Sequence, residues 1–287
     1  MKKYKIRKIL LVILAIFLCV AFYELLGIHV AYKKQPEVSN TTKKETKNGS
    51  WNECSENTER AVIIEKNPEA LLQRVRLIKN AKKEIILSTF AFQSDESGKL
   101  ILGALHDAAD RGVHIRLLVD GMESWIDMEG NPYFYGLSSH ENVEIKLYNK
   151  ANPLKPWKMM GRMHDKYLIA DGKRYILGGR NTYNYFLGDF PGHKNYDRDV
   201  LVVCDEPEKE NSVNQLLEYF ETIWEQEDSG YFHDNKKLAN RKSVKNAVLE
   251  LQNGYQKYFE ENKERICDTD YTDETFETEK IALVSNP

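Results

Sequence analysis

Residues 162–181, RMHDKYLIADGKRYILGGRN, decide how the rest of the chain is read. HDKYLIA alternates as a strand does, so His164 and Lys166, two residues apart, project from one face. Asp171-Gly172 has the chemistry of a tight hairpin turn, and RYIL forms the returning strand. Gly178-Gly179 leaves room for the backbone to approach a ligand closely, and Asn181 follows within reach of the strand ends. The hairpin thus presents an imidazole, an ammonium and a carboxamide to one point. Such a set suits a phosphate diester better than a carbonyl.

The segments on either side read as α/β. AVIIE (61–65) is a short strand, and Asn67-Pro68 supplies a cap residue and a proline at the first helical position. Leu71, Leu72, Val75 and Ile78 then follow at helical spacing. EIILSTFAF (84–92) is a continuous apolar run of the kind found in a strand buried on both faces. Leu100, Ile101, Ala104, Leu105 and Ala108 form a helical face ended by Gly112, and strands follow at 114–121 and 142–149. Amphipathic helices cover Val213 to Trp224 and Val244 to Tyr258. Strands alternating with helices imply a largely parallel or mixed sheet flanked by helices.

The spacing His-x-Lys-x4-Asp-x6-Gly-Gly-x-Asn resembles the HKD signature of the phospholipase D superfamily. By average composition the full pattern arises by chance in about one chain of this size in a million. The similarity extends from about residue 60 to 230. KEIILSTFAFQSDESGKLILGALHDAADRGVHIRLLVDG and GGRNTYNYFLGD…YDRDVLVV look like bacterial cardiolipin-synthase-type members. The resemblance implies a phospholipase-D-like mixed sheet and a metal-free, cofactor-free phosphodiesterase or phosphatidyltransferase acting on anionic glycerophospholipid. Under it His164 is the nucleophile forming a phosphohistidine, or the general acid. Lys166 and Asn181 bind the non-bridging phosphate oxygens, and Asp171 is structural. Asp199, with Asp197 second, is the acid that orients the histidine. Lys158, Arg162 and Arg180 are candidate substrate cations. His106, His114, His140, His193 and His233 lack a lysine two residues on and read as surface or packing histidines.

Superfamily catalysis requires two such hairpins, and this sequence has one. IALVSNP (281–287) repeats the strand, cap and proline pattern of AVIIEKNP (61–68), as though a second copy began there. A homodimer or a separate chain could supply the second histidine; otherwise the chain is an inert half or scaffold. A homodimeric single-motif nuclease is the alternative enzyme. Charge argues against nucleic acid. The 287 residues carry a net −3, but residues 1–32 hold five basic groups and one acid, leaving −7 on the remainder. Residues 150–180 form a basic island of eight cations and two acids. The loop NPLKPWKMMGRM within it adds Trp157, Met159 and Met160, suited to a headgroup–acyl boundary.

Ile9 to Ile28 is apolar apart from Tyr23 and Glu24, and twenty helical residues span ~30 Å, the thickness of a bilayer core. That run is longer than the apolar core of a signal peptide, and no small-x-small site follows it. Basic residues precede it, which places the N-terminus in the cytoplasm and the body outside, at the cell membrane. The expected organisation is an anchor over 1–32, a polar tether over 33–58, and a catalytic domain over 59–230. Residues 231–287 are then a linker helix and the threshold of a second domain. Cys54 and Cys267 flank the body and could pair in an oxidising compartment.

Overall fold

Apolar runs without alternation belong in strands covered on both faces, and here they occupy the middle of a sheet. The computed structural model describes residues 2–33, 40, 43–44, 59–204, 211–233, 236–279 and 281–284. A long helix α1 (Lys2–Lys33) comes first. Then follow β1 (Glu59–Ile64), α2 (Asn67–Asn80), β2 (Glu84–Thr89), α3 (Glu96–Asp110) and β3 (His114–Asp120). Two short helices, α4 (Gly121–Asp127) and α5 (Pro132–Ser138), lead to β4 (Val143–Tyr148). The hairpin is β5 (Lys166–Ala170) and β6 (Arg174–Gly178), followed by β7 (Asp199–Val203), α6 (Ser212–Trp224) and β8 (Ser229–Tyr231). The chain continues through α7 (Lys242–Glu261), α8 (Lys263–Cys267) and β9 (Phe276–Thr278).

Among the described residues one sheet runs β8-β4-β3-β2-β5-β6-β7-β1-β9. β2, β3 and β4 are parallel to their neighbours within that trio, and every other pairing is antiparallel. The sheet is therefore mixed, with the hairpin next to its centre. Alternate residues of each strand feed two cores. Ile85, Leu87, Leu117, Leu168 and Leu201 pack with the α2, α3 and α7 side, while Ile86, Leu118, Ile169 and Val202 pack against α6. Helices thus cover both faces.

Local details depart from the sequence pattern in two places. Asn67 does not cap α2: the N-cap position is Lys66, without a side-chain cap bond, and proline occupies the first turn. The Asn67 amide instead donates to the Asn195 carbonyl and accepts from Arg180 Nε. Tertiary partners have outbid the local cap. The second concerns residues 236–278. α7 packs Val244, Leu251, Tyr255 and Phe259 into the same core as α3 and α5, and β9 extends the sheet beside β1. Buried Arg76 binds the Asp268 and Asp270 carbonyls and Glu274, with its guanidinium 3.9 Å from the Tyr271 ring centroid. These residues, read from sequence as a linker, line the body along one face and one edge.

Of the tether expected over 33–58, only residues 33, 40, 43 and 44 are described. Cys54, and with it the Cys54–Cys267 pairing, lies outside the described residues, as do 285–287 of the closing strand-and-proline pattern. α1 is long and apolar enough to cross a membrane.

α3 and α7 approach so closely at Gly103 that a Cβ there would fall 2.7 Å from the Leu251 carbonyl oxygen and the Tyr255 Cβ. Gly103→Ala should destabilise the fold by about 1–3 kcal/mol through overpacking, even though alanine favours a helix. A denaturant titration in detergent checks this; unchanged stability would mean the two helices are free to separate.

Candidate active site

The position of the hairpin follows from its pairing. β5 lies antiparallel to β2, with Lys166 opposite Thr89 and Leu168 opposite Leu87, and its other edge pairs with β6. Between the two strands Asp171 and Gly172 both adopt positive φ, 55° and 62°, and the Lys173 N–H donates to the Ala170 carbonyl. Aspartate followed by glycine tolerates that left-handed pair, as the turn demands. The Asp171 carboxylate accepts from the N–H groups of Lys82, Lys83 and Glu84, stitching the turn to the start of β2. It lies seven residues along the chain from His164, about 23 Å at the usual strand rise.

The ladder begins at Lys166, so His164 sits in extended chain just before the strand and not within it. The imidazole is exposed. Lys166 is nearly buried, and its Nζ donates to the His164 carbonyl at 2.7 Å. Both surround one aromatic ring. Phe90 meets the imidazole edge-on, with centroids 4.6 Å apart, and the Lys166 Nζ and the Arg162 guanidinium lie 5.5 and 4.9 Å from the Phe90 centroid. The next residue, Ala91, donates its N–H to Asn181 Oδ1 at 3.2 Å, and its carbonyl accepts from the Thr182 N–H. Residues 89–92 are thus the spine on which histidine, lysine and asparagine hang. Phe90 was not legible as part of the site, because in STFAF it reads as one more buried strand residue. The signal that finds it is the Thr89–Lys166 register, which is a tertiary fact.

Burial pulls the His164 pKa below the usual histidine value, and the neighbouring Lys166 charge lowers it further. Both effects favour the unprotonated imidazole. Burial also lowers the Lys166 pKa, against the opposing fields of Asp165 and Asp197. Asp165 is raised by burial, and its carboxylate accepts from the Tyr219 hydroxyl at 2.8 Å. A pocket of about 370 Å³ opens at this point, lined by His164, Asp165, Lys166, Tyr219, Leu283 and Val284. Its outer wall is therefore residues 283–284, with the Leu283 N–H donating to Gln215 Oε1.

Two expected roles, those of Asp199 and Arg180, are corrected by the geometry. Asp199 does not orient His164: its Oδ2 bonds Arg74 at 2.9 Å and pairs with Arg180 at 3.3 Å, while Oδ1 is buried without a partner. Arg180 is not a substrate cation, being 1% exposed and bonded to Asn67 and the carbonyls of Ile64 and Glu65. Asp197 binds the N–H of its own neighbour Arg198. At Gly178 and Gly179 a Cβ would collide with Asp199 or Asp197, so these acids fill the space beside the two glycines. The remaining candidate cations are already paired, Lys158 with Asp228 and Arg162 with Asp120 and Glu123. Among the described residues no cluster of His, Cys, Asp and Glu could hold a metal ion.

Residues 74–224 match the family model described as cardiolipin synthase, PLD-like domain. The chain belongs to this family. It is 30% identical over 212 residues to an uncharacterized protein of Helicobacter pylori strain J99, covering 69% of this chain and 39% of that one. It is 29% identical over 171 residues to cardiolipin synthase C of Escherichia coli K12, covering 55% and 34% respectively. The chain thus spans well under half the length of these curated relatives. Phosphatidylserine synthase of Haemophilus influenzae superposes with a TM-score of 0.52 at 18% identity, over 77% of this chain and 48% of that one. That likeness shows a shared phospholipase-D-type fold.

Two measurements test the site. Asp199→Ala leaves two buried guanidinium groups without their carboxylate and should cost about 3–5 kcal/mol of stability. A cost below 1 kcal/mol in denaturant titration would remove Asp199 from its structural role. The His164 imidazole should titrate by NMR below the ordinary value of about 6.5, moving upward in Lys166→Met. A midpoint above that value would contradict the partly desolvated setting.

Proposed function

We propose that the protein is a membrane-anchored phospholipase-D-type phosphodiesterase or phosphatidyltransferase acting on anionic glycerophospholipid. The observation that carries this reading is the convergence of His164, Lys166 and Arg162 around the Phe90 ring at an open mouth. The unprotonated imidazole attacks phosphorus, a P–N bond forms, and the P–O bond to the leaving alkoxide breaks. Lys166 and the Asn181 amide stabilise charge on the non-bridging oxygens of the five-coordinate transition state. Water or an alcohol then displaces the imidazole, giving hydrolysis or transfer. The leaving alkoxide needs a proton, and this chain's sequence holds one HKD hairpin. A second copy of the chain, or another chain, supplies the second histidine in this reading. The basic N-terminal segment lies in the cytoplasm and the catalytic body on the other side of the cell membrane.

Purified full-length protein should convert phosphatidylglycerol to cardiolipin and glycerol, or release a headgroup, with chelator present. His164→Ala should lower turnover by at least about 10²–10⁴-fold while the protein stays folded. Full activity in that variant would end the proposal, as would a strictly monomeric, inactive protein by light scattering in detergent. Turnover of single-stranded nucleic acid in place of lipid would select the nuclease instead.

A further inference from the structure

The loop between β4 and β5 meets the N-terminal helix. The Tyr23 hydroxyl donates to the Leu154 carbonyl at 2.9 Å, and Gly27 packs so tightly on the Pro156 ring that a side chain there would collide with it. Tyr23 lies five residues inside the end of the apolar run at Ile28. At the helical rise the loop tip therefore reaches about 7 Å below the end of that run, the depth of a headgroup–acyl boundary. The tip is apolar and open, with Leu154 78% exposed and Trp157 and Met160 also accessible. Its neck is held by Asn149, whose amide donates to the Lys158 and Gly161 carbonyls.

Between this loop and the last turn of α1 lies a groove of about 850 Å³, within the range of ligand sites. Val30, Tyr32, Trp157, Met160, Gly161 and Arg162 line it. It begins where a bilayer would end and finishes at Arg162, which shares the Phe90 ring with His164. One end is apolar and the other polar, where Lys158 and Arg162 stand beside their carboxylate partners Asp228, Asp120 and Glu123, a division that matches the tail and headgroup of a glycerophospholipid.

We propose that this groove holds an acyl chain of the phospholipid whose phosphate reaches His164, so that substrate enters sideways from the membrane. The inference rests on the phospholipid reading above and adds the route and the residues. Lys158, paired with Asp228 at the rim, marks the level of the headgroups.

The test uses the full chain in nanodiscs containing phosphatidylglycerol with a photoactivatable acyl chain. Peptides covering 29–33 and 152–162 should be labelled, and excess unlabelled phosphatidylglycerol should compete. Met160→Asp, at an exposed position, should reduce labelling of 152–162 at least tenfold while labelling of residues 9–28 persists. Labelling confined to 9–28 would overturn the proposal, and so would labelling of the loop that Met160→Asp leaves unchanged. Labelling that behaves as expected in a protein without lipid turnover would uphold the groove and sink the enzymatic reading, so the two fail separately.

Discussion

A single carboxylate buried between two guanidinium groups holds together the face that carries the HKD hairpin. Asp199 at the start of β7 binds Arg74 from α2 and Arg180 from the loop after the hairpin, and none of the three side chains is more than 5% exposed. Charges taken so far from water are tolerated only when each has partners, and the carbonyls of Ala70, Ile64 and Glu65 and the Asn67 Oδ1 accept further arginine N–H groups. The network ties helix, hairpin exit and β7 to one point. Asn181 is the next residue after Arg180, so its position against Ala91 follows from that anchorage. The two glycines before it exist for the same reason, because the acids of 197–199 occupy the space a Cβ would take.

The same logic explains how the basic island behaves in the folded protein. Eight cations in residues 150–180 suggest a broadly electropositive surface. Folding distributes them otherwise: Arg180 goes to the interior, while Lys158 and Arg162 each face a carboxylate. Lys166 remains beside His164, buried and bonded to its backbone carbonyl. The positive charge near His164 thus comes from a few placed groups, not from the net charge of the segment.

Much of the fold was legible because its signals are local. The apolar run 84–92, the helical spacing from Val213 to Trp224 and the Asp-Gly turn each state a backbone preference that tertiary contacts reinforce. Asn67 was misread because an asparagine before a proline satisfies a local cap rule, yet here a buried arginine competes for it and wins. Arg180 and Asp199 were misread for a related reason. A charged residue near a motif looks functional until burial shows that it is part of the frame.

Residue pattern alone specifies the family signature: a histidine two before a lysine, an aspartate-glycine turn and a carboxamide after paired glycines, since these depend on spacing along one hairpin. It also specifies a helix of membrane-spanning length, because length and apolarity are properties of a contiguous segment. Tertiary structure alone decides that Phe90 is the surface around which the site is built, that Asp199 is structural, and that the 154–162 loop rests on the end of α1. Those facts join residues many tens of positions apart. Their physical cause is strand register and burial, and neither is visible until the sheet has closed.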